Sequence, residues 1–215
     1  MSQELDIVDS MQCMKITSDT PSNAFINIIK KQVIKEEKNN QWVDSLYKDL
    51  VSLQSNNVGI CGEEMIDYIC KKEKLYSTIN GTNSKKKCIG DGYIEGKSVE
   101  IKTAMLGSDK KSFQHELGEY PWNSNLMLFL DISPNHLYIT LFKNFTKEQY
   151  EEKGFKCKPY FPTKTITRRK GTGNFKLDTT IAINEANVLN HHTIKLSHSS
   201  QYRDVGKFIR RILNS

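Results

Sequence analysis

Asp91, Glu100 and Lys102 are the residues of this 215-residue chain whose types and spacing point to chemistry. They lie in the run Gly90-Asp91-Gly92-Tyr93-Ile94-Glu95-Gly96-Lys97-Ser98-Val99-Glu100-Ile101-Lys102-Thr103. Val99, Ile101 and Thr103 alternate with Glu100 and Lys102, so a strand here places a carboxylate and an ammonium together on the face opposite the apolar side chains. Glu95-Gly96-Lys97 sets a glycine where a hairpin requires positive φ, and reversal there returns Asp91 towards Glu100. Two carboxylates and a lysine then converge. Carboxylate oxygens are hard donors suited to magnesium or manganese, and a neighbouring lysine can hold a water or stabilise charge developing on a phosphate. The chemistry implied is metal-assisted hydrolysis of a phosphodiester.

An acid two places before a lysine also occurs at Glu36, Glu95, Asp109 and Glu151. Glu36 and Glu151 lie in polar, helix-favouring runs, Glu95 sits in the turn itself, and Asp109 lies in a loop-like stretch, Gly107-Ser108-Asp109-Lys110-Lys111. Only Glu100 combines strand alternation with a further acid one hairpin upstream. The competing reading is a surface hairpin whose charges form an exposed pair worth about 0–1 kcal/mol.

Asp91, eight intervening residues and then Glu100-Ile101-Lys102 resembles the active-site signature of the PD-(D/E)xK nuclease superfamily, to which most type II restriction endonucleases belong. Gly90 stands where proline often precedes the aspartate, and the resemblance spans roughly residues 57 to 143. It implies a magnesium-dependent, sequence-specific endonuclease acting on double-stranded DNA, with manganese as a substitute ion. Asp91 and Glu100 would ligate the metal together with the backbone carbonyl of Ile101, and Lys102 would orient or activate the attacking water. Several enzymes of this kind place a further glutamate on the helix before the first catalytic strand. Glu63 is the candidate, because at about 100° per residue it falls on the edge of that helix's apolar stripe while Glu64 lies nearly opposite. Cutting both strands of a symmetric site implies a two-fold homodimer. A repair or recombination nuclease of the same superfamily, or a basic DNA-binding protein without catalysis, are the alternatives.

The elements that must position these residues follow from periodicity. Phe25, Ile28, Ile29 and Val33 recur at helical spacing over 24–37, Trp42, Val43, Leu46, Leu50 and Leu53 over 42–53, and Met65, Ile66, Ile69 and Cys70 over 58–73. Leu126–Ile132 is an almost unbroken apolar run, and Leu137–Phe142 follows it after a Ser-Pro-Asn turn; these are expected as the central strands. A short helix is expected over 146–153 and a closing helix over Tyr202–Leu213, with Val205, Phe208, Ile209 and Ile212 inward. The class is α/β: a mixed β-sheet core flanked by helices, restriction-endonuclease-like, with a basic β-rich C-terminal part. One domain, 1–215, would comprise a helical part at 21–73, a catalytic core at 74–153 and a DNA-contacting part with the closing helix at 154–215.

A net charge of +6 and an isoelectric point near 8.9 favour a polyanionic partner. Lys110, Lys111, Gln114 and His115 occupy a polar stretch, 106–119, that reads as a loop beside the hairpin. Lys164, Arg168, Arg169 and Lys170 crowd a β-favouring stretch that enters a glycine-rich turn, suited to phosphates and base edges. The five cysteines form no C-x-x-C pair, which argues against a zinc site or a disulfide framework. His191, His192 and His198 lack the acid partners of a metal site. No apolar stretch is long enough to span a bilayer, and the acidic start does not read as a secretory signal, so a cytoplasmic protein away from membranes is expected.

Overall fold

Leu126 to Ile132 are buried without exception, Asp131 included, which is the pattern of a strand covered on both faces. The structure, a computed structural model, describes residues 28–31, 40–79, 89–145 and 166–215. The chain divides into two compact units, residues 1–43 and 44–215. In the smaller unit, residues 28–31 are helical, within the helix expected over 24–37, and Asn40 Oδ1 accepts a hydrogen bond from the Trp42 N–H at 2.9 Å. The remainder of that helix, the helix expected over 146–153 and Lys164 lie outside the described residues.

In the larger unit, a 3-10 helix (Lys48–Ser52) and helix α1 (Ser55–Lys72) precede strands β1 (Gly92–Ile94), β2 (Lys97–Met105), β3 (Ser112–Glu119), β4 (Leu126–Ile132) and β5 (Leu137–Lys143). Strands β6 (Ile166–Arg168) and β7 (Asn174–Thr180), helix α2 (Ile181–Leu189), strand β8 (Thr193–Leu196) and helix α3 (Tyr202–Asn214) complete it. One sheet has the order β1-β2-β4-β5-β8, with β2 and β4 parallel and the other neighbours antiparallel. A second, antiparallel sheet has the order β3-β7-β6. This is an α/β arrangement with a mixed sheet flanked by helices, as the order of elements implies.

Alternation along β4 sorts the layers. Met127 and Phe129 join Leu117, Ile166, Phe175 and Leu177 in one apolar cluster, so this face carries the three-stranded sheet. Leu130 and Ile132 turn the other way, towards Gly62 and Met65 of α1. Each large apolar side chain fully buried between these layers contributes roughly 1.5–3 kcal/mol. Helix α1 buries Ile66, Ile69 and Cys70, and α3 buries Val205, Phe208, Ile209 and Ile212, the residues that helical spacing selects.

Three stretches depart from expectation. Residues 42–53 form turns and a five-residue 3-10 helix, with Leu46 and Val51 exposed. Ser45 Oγ accepts from the Tyr47 N–H at 2.9 Å and donates to the Pro134 carbonyl at 2.7 Å, and such local side-chain bonding holds the backbone in a turn at the expense of a helix. The supposed loop at 106–119 contains β3, in which Phe113, His115 and Leu117 point inward. Residues 181–196 form α2 and β8, elements that periodicity did not show; Thr180 caps α2 by accepting from the Ile183 N–H at 3.2 Å. Among the described residues, no helix is long and apolar enough to cross a membrane.

Candidate active site

A two-residue turn, Glu95-Gly96, joins β1 to β2, and both residues have positive φ, 48° and 74°. That is the twist a tight hairpin needs, and glycine supplies half of it at no steric cost. Glu95 also anchors the turn: its Oε1 accepts from the Tyr76 N–H at 2.6 Å, and its own N–H donates to the Tyr76 carbonyl at 2.9 Å. The register pairs Gly92 with Val99, and one step further along the same ladder sets Asp91 opposite Glu100. Strand β1 stops there. From Glu100 onward this edge of β2 has no strand beside it among the described residues, so its N–H groups need other partners. Asp91 Oδ2 takes the Ile101 N–H at 2.6 Å, while the Asp91 N–H donates to the Val99 carbonyl at 2.8 Å.

Gly90 has φ +75°, and a Cβ there would overlap the Val99 carbonyl oxygen and stand 2.6 Å from Ser124 Oγ. Proline, whose ring holds φ near −65°, cannot occupy that position. Glycine, where the resembled signature often has proline, is therefore what the backbone at this position requires.

Lys102 Nζ lies 2.5 Å from Glu100 Oε1, with each side chain 25% exposed. In register, Glu100 stands beside Met127 and Lys102 beside Phe129, so both charges share the face that carries the three-stranded sheet. Glu63 approaches from α1. The preceding residue, Gly62, is buried against Thr103 of β2, and Glu63 Oε2 is enclosed with no hydrogen-bond partner among the described residues. Burial, first, and then the charges of Asp91 and Glu100 raise the Glu63 carboxyl above its ordinary value, against the opposing pull of Lys102. Asp91 is likewise raised, by burial foremost and by Glu100, with the Ile101 hydrogen bond and Lys102 opposing. Glu63, Asp91, Glu100 and Lys102 thus sit within one another's electrostatic reach.

Carboxylates, one with an enclosed oxygen that has no hydrogen-bond partner among the described residues, are hard, anionic donors of the kind that suits magnesium or manganese. The set is open. Among the described residues, no three His, Cys, Asp or Glu side chains are gathered closely enough to hold an ion as they stand. Glu100 is turned to Lys102, and one oxygen of Asp91 to the Ile101 N–H. Ile101, expected to offer its carbonyl to a metal, donates its N–H to Asp91 at this same edge of β2.

The residues expected to meet nucleic acid are not one patch. Ser112 pairs with Thr180 and Glu119 with Asn174, so Lys110 and Lys111, before β3, lie at the opposite end of the sheet from the β6–β7 tip that carries Arg168, Arg169 and Lys170. Eight strand residues at ~3.3 Å each separate the two by roughly 25 Å. Asp109 shapes the first turn by accepting from the Ser112 hydroxyl at 2.6 Å and from the Lys111 and Ser112 N–H groups, which hold its carboxyl below the usual range. On the outward face of the sheet, Gln114 donates to Asp178 at 3.0 Å, Lys176 pairs with Asp178 at 2.9 Å, and Arg169 pairs with Glu116 at 2.6 Å. Arg168 and Lys170 have no ion-pair partner among the described residues and line a shallow depression at the tip with Gly171 and Thr172.

His115 is a correction. It is 1% exposed, and its Nε2 lies 2.6 Å from Asp131 Oδ1, too deep to touch a ligand in solution. The Thr179 hydroxyl and the Asn184 amide donate to Asp131 Oδ2 at 2.8 and 2.7 Å, completing a buried polar knot between the sheets. Sequence reasoning passed over this knot. Its signal was the single acid in the apolar run of β4, since a buried carboxylate requires partners.

No protein-family model matches this chain, and no curated protein matches it.

Proposed function

We propose that this chain is a magnesium-dependent endonuclease that hydrolyses phosphodiester bonds of double-stranded DNA, in the manner of the type II restriction enzymes its signature resembles. One observation carries the reading: Asp91 and Glu100 stand opposite each other at the open edge of β2, with Lys102 Nζ 2.5 Å from Glu100 and the enclosed, unpaired oxygen of Glu63 brought up from α1. Glu63, Asp91 and Glu100 are the oxygen donors that would hold the ion. When bound, a divalent cation acts as a Lewis acid that lowers the pKa of a water and offsets charge on the phosphate.

The chain's own groups do the rest. The Ile101 N–H fixes the rotamer of Asp91 and leaves its second oxygen for a ligand. Lys102 supplies a cation on the same face as Glu100, able to orient a water and to meet negative charge growing on a non-bridging oxygen. Arg168 and Lys170, at the unpaired tip, engage backbone phosphates, and two copies of the chain would serve the two strands.

Among the described residues of the three-stranded sheet, Gln114, Arg169 and Lys176 are paired with acids, and fewer side chains there are left to read base edges. That favours, as second reading, a repair or recombination nuclease that acts on strand structure. Incubating the purified chain with plasmid and phage DNA and magnesium separates the cases. Discrete fragments with uniform ends mark a restriction enzyme, and nicking confined to junctions or damaged strands marks the second reading. Asp91→Ala and Lys102→Ala are expected to lose cleavage while remaining folded. A folded wild-type chain that, with magnesium, leaves plasmid, phage, junction and damaged DNA all uncut overturns both nuclease readings.

A further inference from the structure

We infer that Gly62 is a positioning residue for this site: its missing side chain sets how closely α1 lies on β2 and thereby where Glu63 stands relative to Asp91 and Glu100. The inference rests on the reading of those carboxylates as the cation-holding set. A Cβ on Gly62 would overlap Thr103 Oγ1 and stand 3.0 Å from Thr103 Cβ and 3.2 Å from Cγ2. Glycine weakens a helix interior relative to alanine, so its presence there calls for a steric or conformational reason. Gly59, one turn earlier on the same helix, has nothing within 4 Å of such a Cβ. Gly62 therefore meets the strand by direct backbone approach, and the strand residue it meets is one place from Lys102.

Glu63 follows Gly62 in the chain, so any displacement of α1 that makes room for a methyl carries the Glu63 backbone with it. Relieving the overlap needs a shift on the order of 1 Å, whereas metal–oxygen distances hold to about ±0.2 Å. Glu63 Oε2 is enclosed without a hydrogen-bond partner among the described residues, so no such bond holds that oxygen in place when the backbone moves. Gly62 touches no reacting group. It acts through Glu63.

The test is Mn2+ binding by the full chain, measured by calorimetry. Gly62→Ala is expected to weaken binding at least tenfold with an unchanged circular dichroism spectrum. Adding Thr103→Ala, which removes Oγ1 and Cγ2, should restore affinity to within about threefold of wild type. In a Glu63→Gln background, Gly62→Ala should change affinity less than twofold. Thr103→Val puts a larger methyl where the unpartnered hydroxyl meets Gly62, and should weaken Mn2+ binding about threefold while raising the melting temperature, a combination that loss of structure cannot produce. Leu177→Ala, a cavity in the three-stranded sheet, should lower the melting temperature without changing Mn2+ affinity. Wild-type affinity in Gly62→Ala, or an equal loss with and without Glu63, overturns the role given to Gly62. If Gly62→Ala does not fold, the Thr103→Val result decides. A wild-type chain that binds no Mn2+ overturns the site itself, an outcome distinct from a binding wild type beside an equally binding Gly62 variant.

Discussion

Lys102 Nζ and Glu100 Oε1, two positions apart on one strand, are 2.5 Å from each other. The ammonium is the counter-ion of a carboxylate that the proposed reaction needs for a cation, so the lysine competes with the ion it would serve. Replacing Lys102 by Met should abolish cleavage and at the same time tighten Mn2+ binding by about three- to tenfold. The figure corresponds to about 1 kcal/mol, a pair interaction discounted for side chains a quarter exposed. Calorimetry on the folded variant decides, and unchanged or weaker binding would show that the two cations do not compete.

Asp131 accepts from three buried groups drawn from β3, β7 and α2. Its replacement by alanine strands those donors in the core between the sheets, a loss of about 3–5 kcal/mol. Urea denaturation should report it. A cost below about 1 kcal/mol would mean that the knot is not what joins the layers.

Gly90 enters the hairpin with φ +75° and no room for a side chain. Gly90→Pro, which would bring the chain closer to the resembled signature, should instead destabilise it by at least about 1–3 kcal/mol. A lowered melting temperature together with lost cleavage is the expected result. A variant as stable as wild type would show that the backbone before Asp91 is not so constrained.

Cys61 is exposed, whereas Cys70 is buried, with its thiol pushed up to about 12 by burial and, less, by Asp67 and Glu95. Alkylation proceeds through the thiolate. At pH 8, site-resolved mass spectrometry should find Cys61 modified at least roughly a hundredfold faster than Cys70, the difference vanishing in urea. Equal rates in buffer would contradict the packing of α1.

Local pattern was legible where neighbours along the chain are also the physical environment. Strands β4 and β5 and helices α1 and α3 carry runs or periods of apolar residues that match their burial, and the Glu95-Gly96 turn follows from a requirement for positive φ that two residues satisfy by themselves. Strand β3 was not legible, because the middle member of its inward set is His115, and a histidine becomes an inward residue only when Asp131, sixteen positions on, is there to receive it. Helix α2 inverts the usual signal: Asn184 and Asn187 are buried while Leu189 is 80% exposed. The stretch at 42–53 has the apolar spacing of a helix, yet Ser45 bonds to Pro134, far along the chain, and holds a turn.

By itself, the order of amino acids determined the hairpin that returns Asp91 to the level of Glu100 and the strand alternation that sets Glu100 and Lys102 on one face, since both depend only on backbone geometry over a dozen residues. The approach of Glu63 was decided by tertiary structure, through the seating of Gly62 on Thr103. So were the burial of His115 and the dispersal of the basic residues to opposite ends of the second sheet. Each of those is a contact or separation between segments remote in the chain, set by how the layers stack, and no local period encodes it.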